Sequence, residues 1–80
     1  MTFARELELT ADRLRQLSPA RLLPQQEAVY SVLDAMTTRV VPRLQPRAWG
    51  DQLLLIGREV DSDDFTEAVR ELRRRFDLTL

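Results

Sequence analysis

Four prolines, at positions 19, 24, 42 and 46, cut the chain into segments that no single helix or strand can cross. Proline has no backbone N–H and disfavours helical geometry at the residue before it. Each segment between these breaks has to be read on its own periodicity. In residues 3–17, Phe3, Leu7, Leu14 and Leu17 recur at spacings of four, seven and three with Ala11 between them, one face of an amphipathic helix. Thr2 is placed to cap it. Ser18-Pro19 pairs a capping residue with proline at a first helical position, which suits a single short turn before Pro24.

The spacing predicts a second long helix over 25–41, with Ala28 or Val29, Val32 or Leu33, Met36 and Val40 on its seam and Pro42 as its stop. A last helix over 63–76 carries Phe65, Val69, Leu72 and Phe76 on one face. Asp61-Ser62-Asp63-Asp64 supplies capping oxygens and negative charge at its start, and Arg70, Arg73, Arg74 and Arg75 suit the negative end of its dipole.

The stretch VVPRLQPRAWGDQLLLIG, residues 40–57, holds half the prolines, both glycines and the only tryptophan. As a strand, 52–57 would need an edge to pair with, and the rest of the chain offers no good partner. As a helix over 49–60, Trp49, Leu53, Ile56 and Val60 repeat the spacing of the other seams. Gly57 then costs ~1 kcal/mol relative to alanine. The expected fold is therefore all-α: one domain spanning 1–80, a small bundle of about four helices at 3–17, 25–41, 49–60 and 63–76. The alternative is an α fold with one short strand at 52–57.

Composition narrows the function classes. The chain has no cysteine and no histidine, which removes disulfides, thiolate nucleophiles, the usual zinc ligands and the commonest general base. Its glycines, Gly50 and Gly57, are too few and too far apart for a phosphate-binding loop. Counted from Asp61, the sixth and twelfth positions of a calcium loop would be Thr66 and Leu72, not Gly and Glu. We expect no cofactor, no metal and no catalytic residue.

The 12 cations, all arginine, against 13 acids give a net charge of −1, spread evenly over both halves, which argues against a dedicated phosphate-backbone binder. No apolar run reaches the ~18–20 residues of a membrane span, and the charged N-terminus lacks the apolar core of a signal peptide, so a cytoplasmic location is expected.

An 80-residue chain buries only ~60% of its unfolded surface, and domains of this size often lean on a staple or a partner. Leu9, Val41, Leu54, Leu55, Leu78 and Leu80 lie off the seams as surplus apolar surface. The leading expectation is a non-enzymatic protein–protein interaction module that self-associates or docks on a partner protein. Its candidate contacts are Arg43, Arg47, Trp49, Leu54 and Leu55, a basic rim beside an aromatic residue. The alternative is a small nucleic-acid-binding regulator using Arg70, Arg73 and Arg74 of the last helix. Against it, the start of that helix carries Asp63, Asp64 and Glu67, which would repel phosphates.

Ala11, Arg13, Leu14, Arg15, Leu17, Arg21 and Leu22 form an A-x-R-L-R-x-L-x-x-x-R-L pattern. Pro42 and Leu44, then Gly50, Asp51, Gln52, Leu53 and Gly57, follow it. Together they resemble small uncharacterised helical proteins of GC-rich Gram-positive bacteria. The resemblance covers about half the chain and implies no activity. It implies that Trp-Gly-Asp-Gln belongs to a structural unit.

Overall fold

The first helix, α1 (Phe3–Gln16), begins where Thr2 turns its hydroxyl onto the Arg5 N–H at 3.2 Å. The structure, a computed structural model, describes residues 2–78. A single-turn helix, α2 (Pro19–Leu22), and a 3-10 turn (Leu23–Gln25) lead into α3 (Gln26–Met36). A segment without regular structure, 37–45, and a second 3-10 turn (Pro46–Ala48) connect to α4 (Trp49–Val60). A third 3-10 turn (Asp63–Phe65) opens α5 (Thr66–Leu78). The bundle is all-α, with four long helices and no strand among the described residues. Residues 52–57 are helical, so the strand alternative does not apply. Among the described residues, no helix is long and apolar enough to cross a membrane.

The expected seams close on one core. Phe3, Leu7, Ala11, Leu14 and Leu17 from the α1 region meet Val29, Leu33 and Met36 of α3 and Trp49 and Leu53 of α4. Val69, Leu72 and Phe76 of α5 complete it. Ile56, Val60 and Phe65 pack against its edge. Helix α1 is the hub, packing chiefly on α4 and α5.

Its contact with α4 depends on both glycines. A Cβ on Gly50 would stand 3.0 Å from the Ala11 carbonyl oxygen, and one on Gly57 would stand 2.5 Å from both methyls of Leu7. As α4 runs from 50 to 57 its neighbours on α1 run from 11 back to 7, so the two helices are antiparallel. The bare glycine faces let their backbones approach more closely than side chains would allow.

The expected 25–41 helix ends five residues early, at Met36. Thr37 takes extended geometry (φ −136°, ψ 152°) and its hydroxyl accepts the Arg39 N–H at 3.2 Å. A threonine that bonds the backbone locally competes with the helical ladder. Thr38, Val40 and Val41 are β-branched and prefer the extended chain that Pro42 also requires. Val40, expected on the helical seam, is consequently 95% exposed, while Val41 is buried. Successive residues of extended backbone point to opposite sides, and these two do so.

At its far end α4 stops on Asp61, which adopts the left-handed conformation (φ 44°) and returns its N–H to the Gly57 carbonyl. Asp61 is therefore a helix terminator. Ser62 is the residue that caps the next turn, accepting the Asp64 N–H at 3.3 Å.

Candidate functional site

Residues 37–45 form a strap across α3 and α4, held by side chains rather than by backbone pairing. Tyr30, buried in α3, donates its hydroxyl proton to Gln52 Oε1 at 2.7 Å, and the Tyr30 hydroxyl oxygen in turn accepts the Leu44 N–H at 2.9 Å. Gln52 donates through Nε2 to the Pro42 carbonyl at 2.8 Å. Trp49 donates its indole N–H to the Leu44 carbonyl at 3.1 Å and packs edge-on against Tyr30, ring centres 5.9 Å apart. Buried polar atoms are costly unless paired, and these pair with one another and with the strap.

Arg43 fastens the outer margin. Its guanidinium bonds both carboxylate oxygens of Asp34, at 3.2 and 2.8 Å, donates to the Val41 carbonyl at 3.0 Å, and lies 4.4 Å from the Tyr30 ring centre. The two-pronged bond from Arg43 holds the Asp34 carboxyl below its ordinary value of 3.8, outweighing the opposing effect of desolvation.

On the solvent side, the strap and α4 enclose an open groove of about 230 Å³. Val40, Val41, Pro42 and Leu44 form one wall and Leu55 and Ile56 the other, with Arg39 and Glu59 at the lip, 3.4 Å apart. Val40, Leu55 (65% exposed) and Leu44 (46%) bring three of the chain's large exposed apolar side chains to this one place. The groove offers apolar contact with one ion pair at its edge.

The expected contact residues separate accordingly. Leu55 lines the groove, and Leu54, one position earlier, is half-buried against the core. Arg47 is exposed on the turn before α4. Arg43 is tacked to Asp34 and Tyr30. Trp49 is fully buried and spends its N–H inside the fold, so it presents no surface to a partner; its role is a core anchor. Of the surplus apolars, Val41 is buried, Leu9 is half-buried and Leu78 is exposed, while Leu80 lies outside the described residues.

Arg70, Arg73 and Arg74 of α5 are engaged. Glu6 of α1, 1% exposed, accepts from Arg70 Nε at 3.3 Å and from Arg73 Nη1 at 2.6 Å. Arg70 also pairs with Glu67, and Arg74 pairs with Glu71 at 2.9 Å. Thr10 donates to the Val69 carbonyl at 3.4 Å on the same α1–α5 seam.

Sequence reasoning placed Val40 on the buried seam of α3 and gave no contact role to Tyr30, Gln52 or Glu6. One signal was available for Gln52: a lone amide inside WGDQLLLIG, on a helix whose other inward positions are apolar, has to find a buried partner. All four residues of Trp-Gly-Asp-Gln are engaged, Asp51 through an ion pair with Arg15. No protein-family model, curated protein or solved structure matches the chain.

Proposed function

We propose that this chain is a small non-enzymatic interaction module whose contact surface is the groove between the strap and α4. The observation that carries this reading is the clustering of Val40, Leu44 and Leu55, exposed, around a single apolar depression. Scattered surface leucines are ordinary, but a gathered apolar patch marks a place where something docks. The strap's anchorage adds support. Its wall is held by Tyr30, Gln52 and Trp49 before any partner arrives, so little ordering entropy is lost on binding. Engagement of Arg70 and Arg73 by Glu6 weighs against the nucleic-acid reading, because cations already paired release fewer counterions on binding a phosphate backbone.

A photo-crosslinking amino acid in place of Leu55 tests the proposal in cells of the source organism. Leu55 is exposed, so the replacement leaves the core untouched. The expected result is a discrete adduct, absent when the same probe replaces Asp63, which is also exposed. Adduct yield no higher at Leu55 than at Asp63 would refute the groove as a contact surface.

A further inference from the structure

The structure assigns a processing site to the strap: the Arg39–Val40 peptide bond is where the folded chain admits an arginine-specific endopeptidase, and the two pieces stay together after the cut. This holds whatever the groove binds. An endopeptidase takes its substrate as an extended segment, bonding the backbone and filling a pocket whose carboxylate selects a cation. A site in a folded protein therefore needs exposed backbone outside any helix and an accessible arginine. Of the 12 arginines, all but Arg39, Arg43 and Arg47 lie within α-helices, which would have to unwind first.

Of these three, Arg39 meets both needs. Among the described residues, 38–44 make no backbone-to-backbone hydrogen bond, and the side-chain anchors hold the strap from Val41 onward. Thr38, Arg39 and Val40 are all exposed, and the bond their backbone makes is a local one, from the Arg39 N–H to the Thr37 hydroxyl. The Arg39 side chain is 76% exposed, and its pair with Glu59 is a surface contact that water competes for. Arg43 is clamped by Asp34, and both backbone groups of Leu44 beyond it are taken by Tyr30 and Trp49. Arg47 sits in a 3-10 turn whose Ala48 N–H bonds the Gln45 carbonyl at 2.9 Å, next to buried Trp49.

Hydrolysis needs only water. The C–N bond from Arg39 to Val40 breaks, the hydroxyl of water goes to the Arg39 carbonyl carbon, and its proton goes to the Val40 nitrogen. At neutral pH the new ends ionise to a carboxylate and an ammonium. The cut parts α1–α3 from α4 and α5, but the packing crosses it: α1 packs chiefly on α4 and α5. The bonds Tyr30–Gln52, Tyr30–Leu44 and Asp34–Arg43 also join residues before the cut to residues after it. None of these contacts uses Arg39 or Val40, so the nicked protein keeps them. What changes is the groove, whose wall gains a cation at Val40.

Trypsin is the probe, since the chain has no lysine and every trypsin site is an arginine. Brief digestion of the native protein, followed by intact mass spectrometry, should show fragments 1–39 and 40–80 before any other. The nicked sample should elute in size exclusion as one species with the mass of the intact chain plus one water, and keep its helical circular dichroism. Arg39→Gln alters an exposed side chain, so its melting curve should match wild type. Its first cut should be slower by at least ~10-fold, because the remaining sites wait on opening of helices or anchored segments. The site is overturned by a first cut at another arginine, by Arg39→Gln digested as fast as wild type, or by loss of all bonds together without a discrete intermediate. Fragments that separate on size exclusion overturn the claim that the pieces stay together.

Discussion

Gly57→Ala should destabilise the protein although it places a better helix former in the middle of α4. In a solvent-facing helix this change gains ~1 kcal/mol. Here the new methyl would lie 2.5 Å from both Leu7 methyls and 3.1 Å from Leu7 Cγ. Carbon atoms rest at about 3.5–4.0 Å, so the deficit is ~1 Å or more. Turning the Leu7 methyls aside does not clear it, because Cγ is itself too close. Leu7 is 2% exposed and has core atoms around it, so α1 and α4 must part or Leu7 must leave its rotamer. Overpacking of this kind costs ~1–3 kcal/mol.

Set against the propensity gain of ~1 kcal/mol, the net loss is ~0–2 kcal/mol, or a fall of up to roughly 15 °C in melting temperature for a domain of this size. Urea and thermal melts followed by circular dichroism measure it. Leu7→Ala alone should cost ~2–5 kcal/mol through the cavity it leaves. Combined with Gly57→Ala it should cost less than the sum, because the added methyl refills part of that cavity. A Gly57→Ala protein that melts higher than wild type would refute the close α1–α4 approach.

Three further outcomes follow from the contacts described. Tyr30→Phe removes the hydroxyl that bridges Gln52 and Leu44, for a loss of ~1.5–3 kcal/mol; amide exchange at Leu44 should rise well above that of core amides such as Leu33. Glu6→Gln leaves Arg70 and Arg73 without their shared carboxylate, and because those arginines are 33% and 22% exposed the cost is screened to ~1–2 kcal/mol, read from urea midpoints. The Asp34–Arg43 contact should be complete at neutral pH and lost on acidification, since the folded carboxyl titrates below its ordinary 3.8. Its contribution holds above that ordinary value and disappears as pH falls through the lower, folded one. A carboxyl-carbon NMR titration should show the depressed midpoint in wild type and its return to the ordinary range in Arg43→Gln.

Helix existence was legible wherever apolar residues repeat at three and four. Residues 49–60 were bounded correctly because Trp49, Leu53, Ile56 and Val60 share the spacing of the other seams. The end of α3 was not, because Val40 happens to continue the 3–4 pattern. What decides that boundary is Thr37 bonding its own backbone and the strap finding partners on α3 and α4, and periodicity along one segment cannot show a partner on another. Gly57 was misjudged for a similar reason. In isolation it weakens a helix, and only the nearness of Leu7 reveals that its bareness is required. The groove was half legible: the surplus of apolar residues pointed to Leu55, but adjacent residues of a strap differ in fate, and Val40 was assigned to the wrong side. Trp49 beside a basic rim was a candidate contact, although a tryptophan opening an apolar helix is more often a core anchor; it is the anchor, with its indole N–H satisfied within the fold.

The hub position of α1 also has a consequence for how the chain folds during synthesis. Its principal neighbours are α4 and α5, the most distant helices in sequence, so few of its contacts are local. After Gln16 has been made, ribosomes extending at ~5–20 residues per second need about 2–7 s to reach Trp49. Over that interval the apolar face of α1 lacks its principal partners and is largely available to chaperones. Closing so long a loop also slows refolding relative to bundles whose neighbouring helices follow directly in sequence. Collapse of this domain therefore awaits its second half, and a chain truncated within the strap would carry α1 without its two principal partners.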